Sequence, residues 1–318
     1  MKMNKIVLAM CSGLFLGCTE NNFDNSYDEE IAQPQVQNEE VENPSDTESE
    51  FSVNQEYNGS TSIQKLCDGN IISPEAAEKM LELTMVTEYE DAYSIYDRID
   101  GIASLFEDCA DPWGLFPTTY RQITARGLQA IENGEFEDEG WAQDIIVDFA
   151  GRYLENLQMA LVGEQPSWAW EQYYYLADRE DVSKTRAVLV AMCAHLMLDL
   201  PHSLVAIETT EANKNDFFVF GEMMIEVSDE LIIDLRKYHN TDAEDILNGF
   251  FFGEWVDGVF GANSMITLSY QTIRTKSWNN RWYLEQSWGK SIADAEIYSS
   301  FWMTDGVLAS LDAAGIID

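Results

Sequence analysis

The run Ala187-Val188-Leu189-Val190-Ala191-Met192-Cys193-Ala194-His195-Leu196-Met197-Leu198-Asp199-Leu200 is apolar except at His195 and Asp199. Wound as a helix, it is greasy on every side, and such a helix is stable in water only when other elements enclose it. Ser, Asp and Lys residues ahead of it place its start near Asp181. Pro201 predicts its end, or a kink, just after Leu200. The chain therefore has to build a bundle around this segment.

The rest of the chain supplies the enclosing helices. Ser73-Pro74-Glu75 is an N-cap, a first-turn proline and an early acid, which predicts a helix running to about Asp100. Its apolar residues Leu81, Met85, Ala92, Ile95 and Ile99 keep near-helical spacing. A loop with Pro112, Gly114 and Pro117 follows. A helix from Thr118 or Thr119 to about Glu132 is stopped by Asn133-Gly134. Trp141 to about Val162 repeats Ile145, Phe149, Tyr153 and Leu157 every four residues. Pro166 breaks it, and a short aromatic helix holds Trp168, Trp170, Tyr173 and Tyr174. Asp216 to about Tyr238 is amphipathic, and Thr241 caps a short successor. Gly249 to Gly261 reads as an aromatic, glycine-punctuated loop. Two further helical segments cover Ile266 to Gln286 and Ile292 to Leu311. No run of β-branched alternation interrupts this order, so the expected fold is all-α, a single multi-helix bundle over residues 63–318.

Charge narrows the partners. Acids number 57 against 18 bases, a formal net charge of −39. Phosphate-tracking binding of nucleic acid needs Lys and Arg to displace counterions, so nucleic acid is excluded as a partner. A polybasic hold on anionic lipid is disfavoured for the same reason. Residues 19–62 hold twelve acids and no Lys or Arg. Such a segment repels itself and buries too little surface to offset its ordering entropy, so it reads as a disordered acidic linker rather than as a calcium or peptide sponge. Residues 63–318 keep 45 acids against 16 bases, a composition that resembles salt-adapted surfaces.

Ahead of the linker, Lys2 and Lys5 precede an apolar run from Ile6 to Leu16, too short for a mature membrane span. It ends in Leu14-Phe15-Leu16-Gly17-Cys18, which resembles the lipobox of bacterial lipoproteins. Residues 1–18 are therefore expected to be a lipoprotein signal with Cys18 as the acylated residue. The alternative is an ordinary secretory signal with a chance Cys. The expectation is a chain exported to the bacterial cell envelope, at the outer membrane or cell surface, held to membrane by its lipid anchor only. In that compartment Cys67 and Cys109 stand open between a disulfide and two thiols. Cys193, inside the apolar helix, reads as a small buried hydrophobe.

His195 and Asp199 lie four residues apart and share a helical face. Either would be costly to bury alone, so each needs a polar partner. One reading makes them a hydrogen-bonded pair that locks the core, with no cofactor. The other makes them two ligands of one divalent metal ion, completed by a carboxylate such as Asp216 or Glu222. His-x-x-x-Asp spacing also occurs in helical zinc phospholipases and single-strand nucleases. Those need several further histidines, and this chain offers only His195, His202 and His239. Arg152, beside Tyr153, and Arg274 are candidates for the same polar cluster. Each also has a plain reading as a salt bridge or a cation–π contact. Gly-x-Ser-x-Gly, Gly-x-x-x-x-Gly-Lys and Cys-x-x-Cys motifs are absent.

Ala194, His195, Asp199 and Leu200 match an Asn-Ala-His-Ile-Asn-x-Asp-Leu-like motif. Asp100-Gly101, Phe136-Glu137-Asp138-Glu139-Gly140-Trp141, Phe149-Ala150-Gly151-Arg152-Tyr153, Asp216-Phe217 and Ile273-Arg274-Thr275-Lys276-Ser277-Trp278 add further matches in order. In these the chain resembles an uncharacterised bacterial family, catalogued as a domain of unknown function. The resemblance covers roughly residues 95 to 285 and implies an all-helical domain without an assigned activity. His195, Asp199, Arg152, Tyr153, Asp216, Arg274 and Trp278 form the candidate polar cluster, should the fold bring them together. Cys193, Met197 and Leu198 replace polar positions of the motif.

Two functions follow. The first is a binding or structural module at the envelope, its protein or small-molecule partner left open. The second is a hydrolase of an ester or phosphoester using one metal on His195 and Asp199. A haem or lipid carrier rests only on aromatic abundance, which at helical spacing is more often core.

Overall fold

A computed structural model describes residues 63, 67, 73–87, 90–244 and 270–317. Ten helices and two short 3₁₀ turns, with no strand, make up these described residues. The expected lipid site at Cys18, the acidic linker and the Gly249–Gly261 loop lie outside them, as does most of the short helix expected after Thr241.

The helices are α1 Pro74–Thr84, α2 Ala92–Cys109, α3 Leu115–Asn133, α4 Glu139–Val162 and α5 Trp168–Ala177. The central helix α6 runs Lys184–Ala206. Then come α7 Lys214–Glu226, α8 Ser228–His239, α9 Tyr270–Leu284 and α10 Lys290–Ala313. Local chemistry sets most of the ends. Ser73 caps α1 by accepting from the Ala76 N–H, with Pro74 in the first turn. Asp138 caps α4 at Trp141, and Ser183 caps α6 at Arg186. Gly134 closes α3 in the left-handed conformation, φ 66°, which a residue without Cβ adopts freely.

Three boundaries differ from the sequence expectation. The helix expected from Ser73 to Asp100 is two, α1 and α2. Asp91 and Ser94 form a reciprocal capping box that starts α2 afresh, and α2 runs on through Gly101 to Cys109. Helix α3 begins at Leu115, with Pro117 in a first turn where its missing N–H does no harm. The helix expected from Asp216 to Tyr238 bends at Val227 into α7 and α8, and Asp229 and Glu230 favour a new N-terminus there.

Helix α6 is the axis of the bundle. It packs against α3, α4, α5, α9 and α10, and Arg186 near its start grips Asp305 of α10 through two nitrogens at 2.7 and 3.0 Å. By length and hydropathy α6 would pass for a membrane span, yet 83% of its most apolar window is buried inside the domain. Cys193 sits there as a buried free thiol. Cys67 and Cys109 are joined in a disulfide.

Candidate functional site

Pro201 does not end α6. The helix widens instead, residues Ala194–Asp199 forming a π-helical turn in which the Leu200 N–H reaches back to the His195 carbonyl. Continued one step, this pattern assigns the Leu196 carbonyl to residue 201, and proline has no N–H to give. The Ser277 hydroxyl of α9 takes that place, 2.5 Å from the Leu196 oxygen. The expected stop is thus converted into an uninterrupted helix by a side chain from another element. Single π turns of this kind often carry functional side chains, and this one carries both His195 and Asp199.

Inside it, His195 Nδ1 lies 2.9 Å from Asp199 Oδ2, and Trp170 Nε1 donates to the same oxygen at 2.9 Å. Where the imidazole donates to this oxygen from Nδ1, Nε2 is left as an acceptor. The Phe149 ring stacks on the imidazole, centroids 3.4 Å apart and planes 6° from parallel. Tyr120, Phe116 and Trp170 present edges at 4.7, 5.2 and 5.9 Å. His195 is 3% exposed and Asp199 4%. Burial depresses the imidazole pKa, and Asp199 only partly offsets it, so His195 is neutral near neutral pH. Burial, with Asp199 nearby, also pushes the Tyr120 phenol well above its ordinary value.

Three buried polar atoms here find no hydrogen-bond partner among the described residues: His195 Nε2, Tyr153 Oη and Tyr174 Oη. Burial raises the Tyr153 pKa well above the ordinary phenol value, and the neighbouring Tyr174, Tyr173 and Tyr120 disfavour a second negative charge there. The tyrosines therefore stay protonated and can only share neutral hydrogen bonds.

The remaining polar candidates find their partners away from this pair. Arg152 Nε donates to Asp148 Oδ1 at 2.8 Å and to Ser203 Oγ at 2.9 Å. Its charge still contributes to the depressed pKa of both His195 and His202. Asp216 accepts the Glu137 and Asp138 N–H groups at 2.8 and 2.9 Å, pinning α7 to the turn that opens α4. Arg274 is 1% exposed. Its guanidinium stands over the Phe217 ring, 4.1 Å from the centroid, and Nη2 donates to the Phe217 carbonyl. Nη1 has no partner among the described residues. Gly221 makes room for it, since a Cβ there would fall 1.4 Å from Nη1. Trp278 packs on Phe217 at 4.8 Å and carries Arg281 over its own ring at 4.2 Å.

The donors for a metal are thus His195 and Asp199 alone. Asp216 spends both oxygens on backbone amides, and Glu222 is exposed. The single grouping of three metal-capable side chains among the described residues is Cys67, Cys109 and Asp111. Sequence reasoning missed the Trp170 indole as the second donor to Asp199, and it missed Ser203 and Ser277. The signal available was chemical: an indole N–H and a hydroxyl that a helix buries each need an acceptor.

No curated protein and no solved structure matches the chain. A family model described as a family of unknown function, DUF5995, matches residues 93–297. That span runs from the start of α2 into α10, with Phe149, Tyr153, Trp170, His195, Asp199 and Ser277 all inside it, and the chain belongs to this family of unknown function.

Proposed function

We propose that the chain is a lipid-anchored, non-catalytic helical module of the cell envelope, acylated at Cys18, in which His195 and Asp199 lock the core. The observation that carries this reading is the enclosure of His195. Its ring is stacked by Phe149, edged by three aromatics and 3% exposed. Hydrolysis needs an ester and a water at the same atoms, and a side chain so enclosed offers neither a place. The strongly acidic surface keeps such a module soluble and directs it to protein or neutral small-molecule partners instead of nucleic acid.

The unpartnered Nε2 of His195 favours the second reading, a hydrolase in which that lone pair holds a divalent ion or takes a proton. One experiment separates the two. The full chain is assayed on p-nitrophenyl esters and phosphates with and without zinc, manganese and magnesium, beside His195→Ala. The expected result is no turnover that depends on His195. Metal-dependent turnover that disappears in His195→Ala would overturn the module reading. Labelling with radioactive palmitate, wild type against Cys18→Ser, tests the anchor, and equal labelling of the two removes it.

A further inference from the structure

Among the described tryptophans, Trp282 and Trp288 are the exposed ones, at 47% and 59%. Trp282 and Tyr283 lie in the last turn of α9, and Trp288 stands just ahead of α10. The turn between the helices folds Trp288 back on the other two. The Gln286 N–H donates to the Tyr283 carbonyl at 3.1 Å, and the Gly289 N–H to the Gln286 carbonyl at 2.8 Å. Gly289 passes so near α9 that a Cβ there would fall 2.5 Å from the Tyr283 oxygen, so the position requires a residue without a side chain.

The three rings meet pairwise and close to perpendicular. Trp282 and Tyr283 have centroids 5.0 Å apart with planes at 81°, Trp282 and Trp288 5.6 Å at 75°, and Tyr283 and Trp288 6.2 Å at 86°. We propose that this corner of three rings binds the trimethylammonium group of a free small cation of the choline class.

A perpendicular contact sets the edge of one ring against the face of another. It covers one face at most, so three rings cannot close off all of their own faces, and the exposed indoles leave theirs to solvent. Ring faces attract cations, tryptophan most strongly, within about 6 Å of the centroid. Centroids this close together let one cation come within that range of all three. A lysine ammonium or a metal ion holds its water tightly and needs acceptors or oxygen ligands, which ring faces do not give. A trimethylammonium has no N–H to satisfy, and its methyl groups add apolar contact with the rings.

Charge points the same way. Residues 63–318 carry 45 acids against 16 bases, and Glu285 follows Tyr283 by two residues with its side chain 35% exposed. Arg281 is turned inward, donating to the Thr209 carbonyl and standing over Trp278. Such a field concentrates cations and repels phosphate, which favours a free cation over a phospholipid headgroup. The site shares no residue with the His195–Asp199 pair and stands whichever reading of that pair holds.

The test titrates the full chain, in dodecyl maltoside, with choline, with its uncharged analogue 3,3-dimethyl-1-butanol and with phosphocholine, read by calorimetry and indole fluorescence. Choline is expected to bind one to one. The alcohol keeps the shape without the charge and is expected to bind at least about fivefold more weakly, the loss of cation–π attraction. Phosphocholine is expected to bind more weakly than choline. Trp282→Ala and Trp288→Ala are each expected to weaken choline binding by more than about fivefold, with the melting midpoint unchanged because both side chains stand half in solvent. Trp288→Phe, which keeps a less attractive ring, is expected to fall between. The proposal fails if choline gives no saturable signal, if the alcohol binds as tightly, or if Trp288→Ala binds like wild type. Phosphocholine binding more tightly than choline would overturn the free cation in favour of a lipid headgroup.

Discussion

Ser277 donates its hydroxyl to the carbonyl of Leu196, an oxygen on another helix whose helical partner would be the proline nitrogen of residue 201. Ser277→Ala leaves that carbonyl buried without a donor. The expected loss is about 1–3 kcal/mol, the penalty for an unsatisfied buried polar group. Urea unfolding measures it. A midpoint unchanged from wild type would mean that the π turn satisfies Leu196 by another route.

Asp199 serves two donors, the His195 ring and the Trp170 indole. Asp199→Ala orphans both in an interior without water contact, and a loss of about 3–5 kcal/mol is expected. For a domain of this size that is roughly 6–20 °C in the melting midpoint. Chelator added to wild type should leave the midpoint where it was. A chelator effect as large as the variant's would assign the loss to a metal ligand instead.

His239 sets a pH dependence. Burial, then the nearby Lys184 charge, lower its pKa to about 4, and Thr118 holds its Nε2 at 2.9 Å. In the unfolded chain it titrates near 6.5. Between these values the unfolded state binds the extra proton, so this contribution to stability is complete above about pH 6.5 and is lost as pH falls toward 4. His195 and His202 are displaced in the same direction. The gap in unfolding free energy between wild type and His239→Gln, measured from pH 7.5 down to 4.5, should shrink with acidification. A constant gap contradicts the assignment.

Gly221 and Arg274 form a lock with a sign that can be reversed. A methyl at 221 would meet Arg274 Nη1 at 1.4 Å and Cζ at 2.3 Å, so Gly221→Ala should destabilise by about 1–3 kcal/mol through overpacking. In an Arg274→Met background the obstruction is gone. The same change should then stabilise by up to about 1 kcal/mol, the helix preference of Ala over Gly. A double-mutant cycle by urea unfolding reads the coupling, and additive effects would rule out the contact.

What the sequence shows and what it hides divide along physical lines. The central place of α6 was legible because an all-round apolar helix has one stable environment. Helix ends marked by local chemistry, at Ser73-Pro74, Asp138 and Asn133-Gly134, were legible for the same reason. Asp91 and Ser94 carried a readable capping box, but the unbroken apolar spacing from Leu81 to Ile99 masked it. Pro201 misled because its remedy sits at Ser277, 81 residues from Leu196. The site was legible as a pair and not as a gathering. Periodicity says which face of its own helix a residue occupies, and it is silent on where neighbouring helices turn theirs. Arg152 therefore turned to Asp148 and Ser203, and Asp216 to the α4 turn, while Arg274 settled on Phe217.

The length and greasiness of α6 have a consequence during biogenesis. If the chain is exported as proposed, it is sampled by lipid segment by segment before any bundle exists to receive it, and a 23-residue helix whose best 18-residue window has a mean hydropathy of 1.6 invites arrest in the bilayer. Asp199 falls well within that stretch. An aspartate at mid-membrane adds about 2.5–3.5 kcal/mol to the free energy of insertion. The carboxylate that Trp170 and His195 satisfy after folding would thus favour passage over lateral release, and removing it would send part of the nascent protein into the membrane as a stranded span.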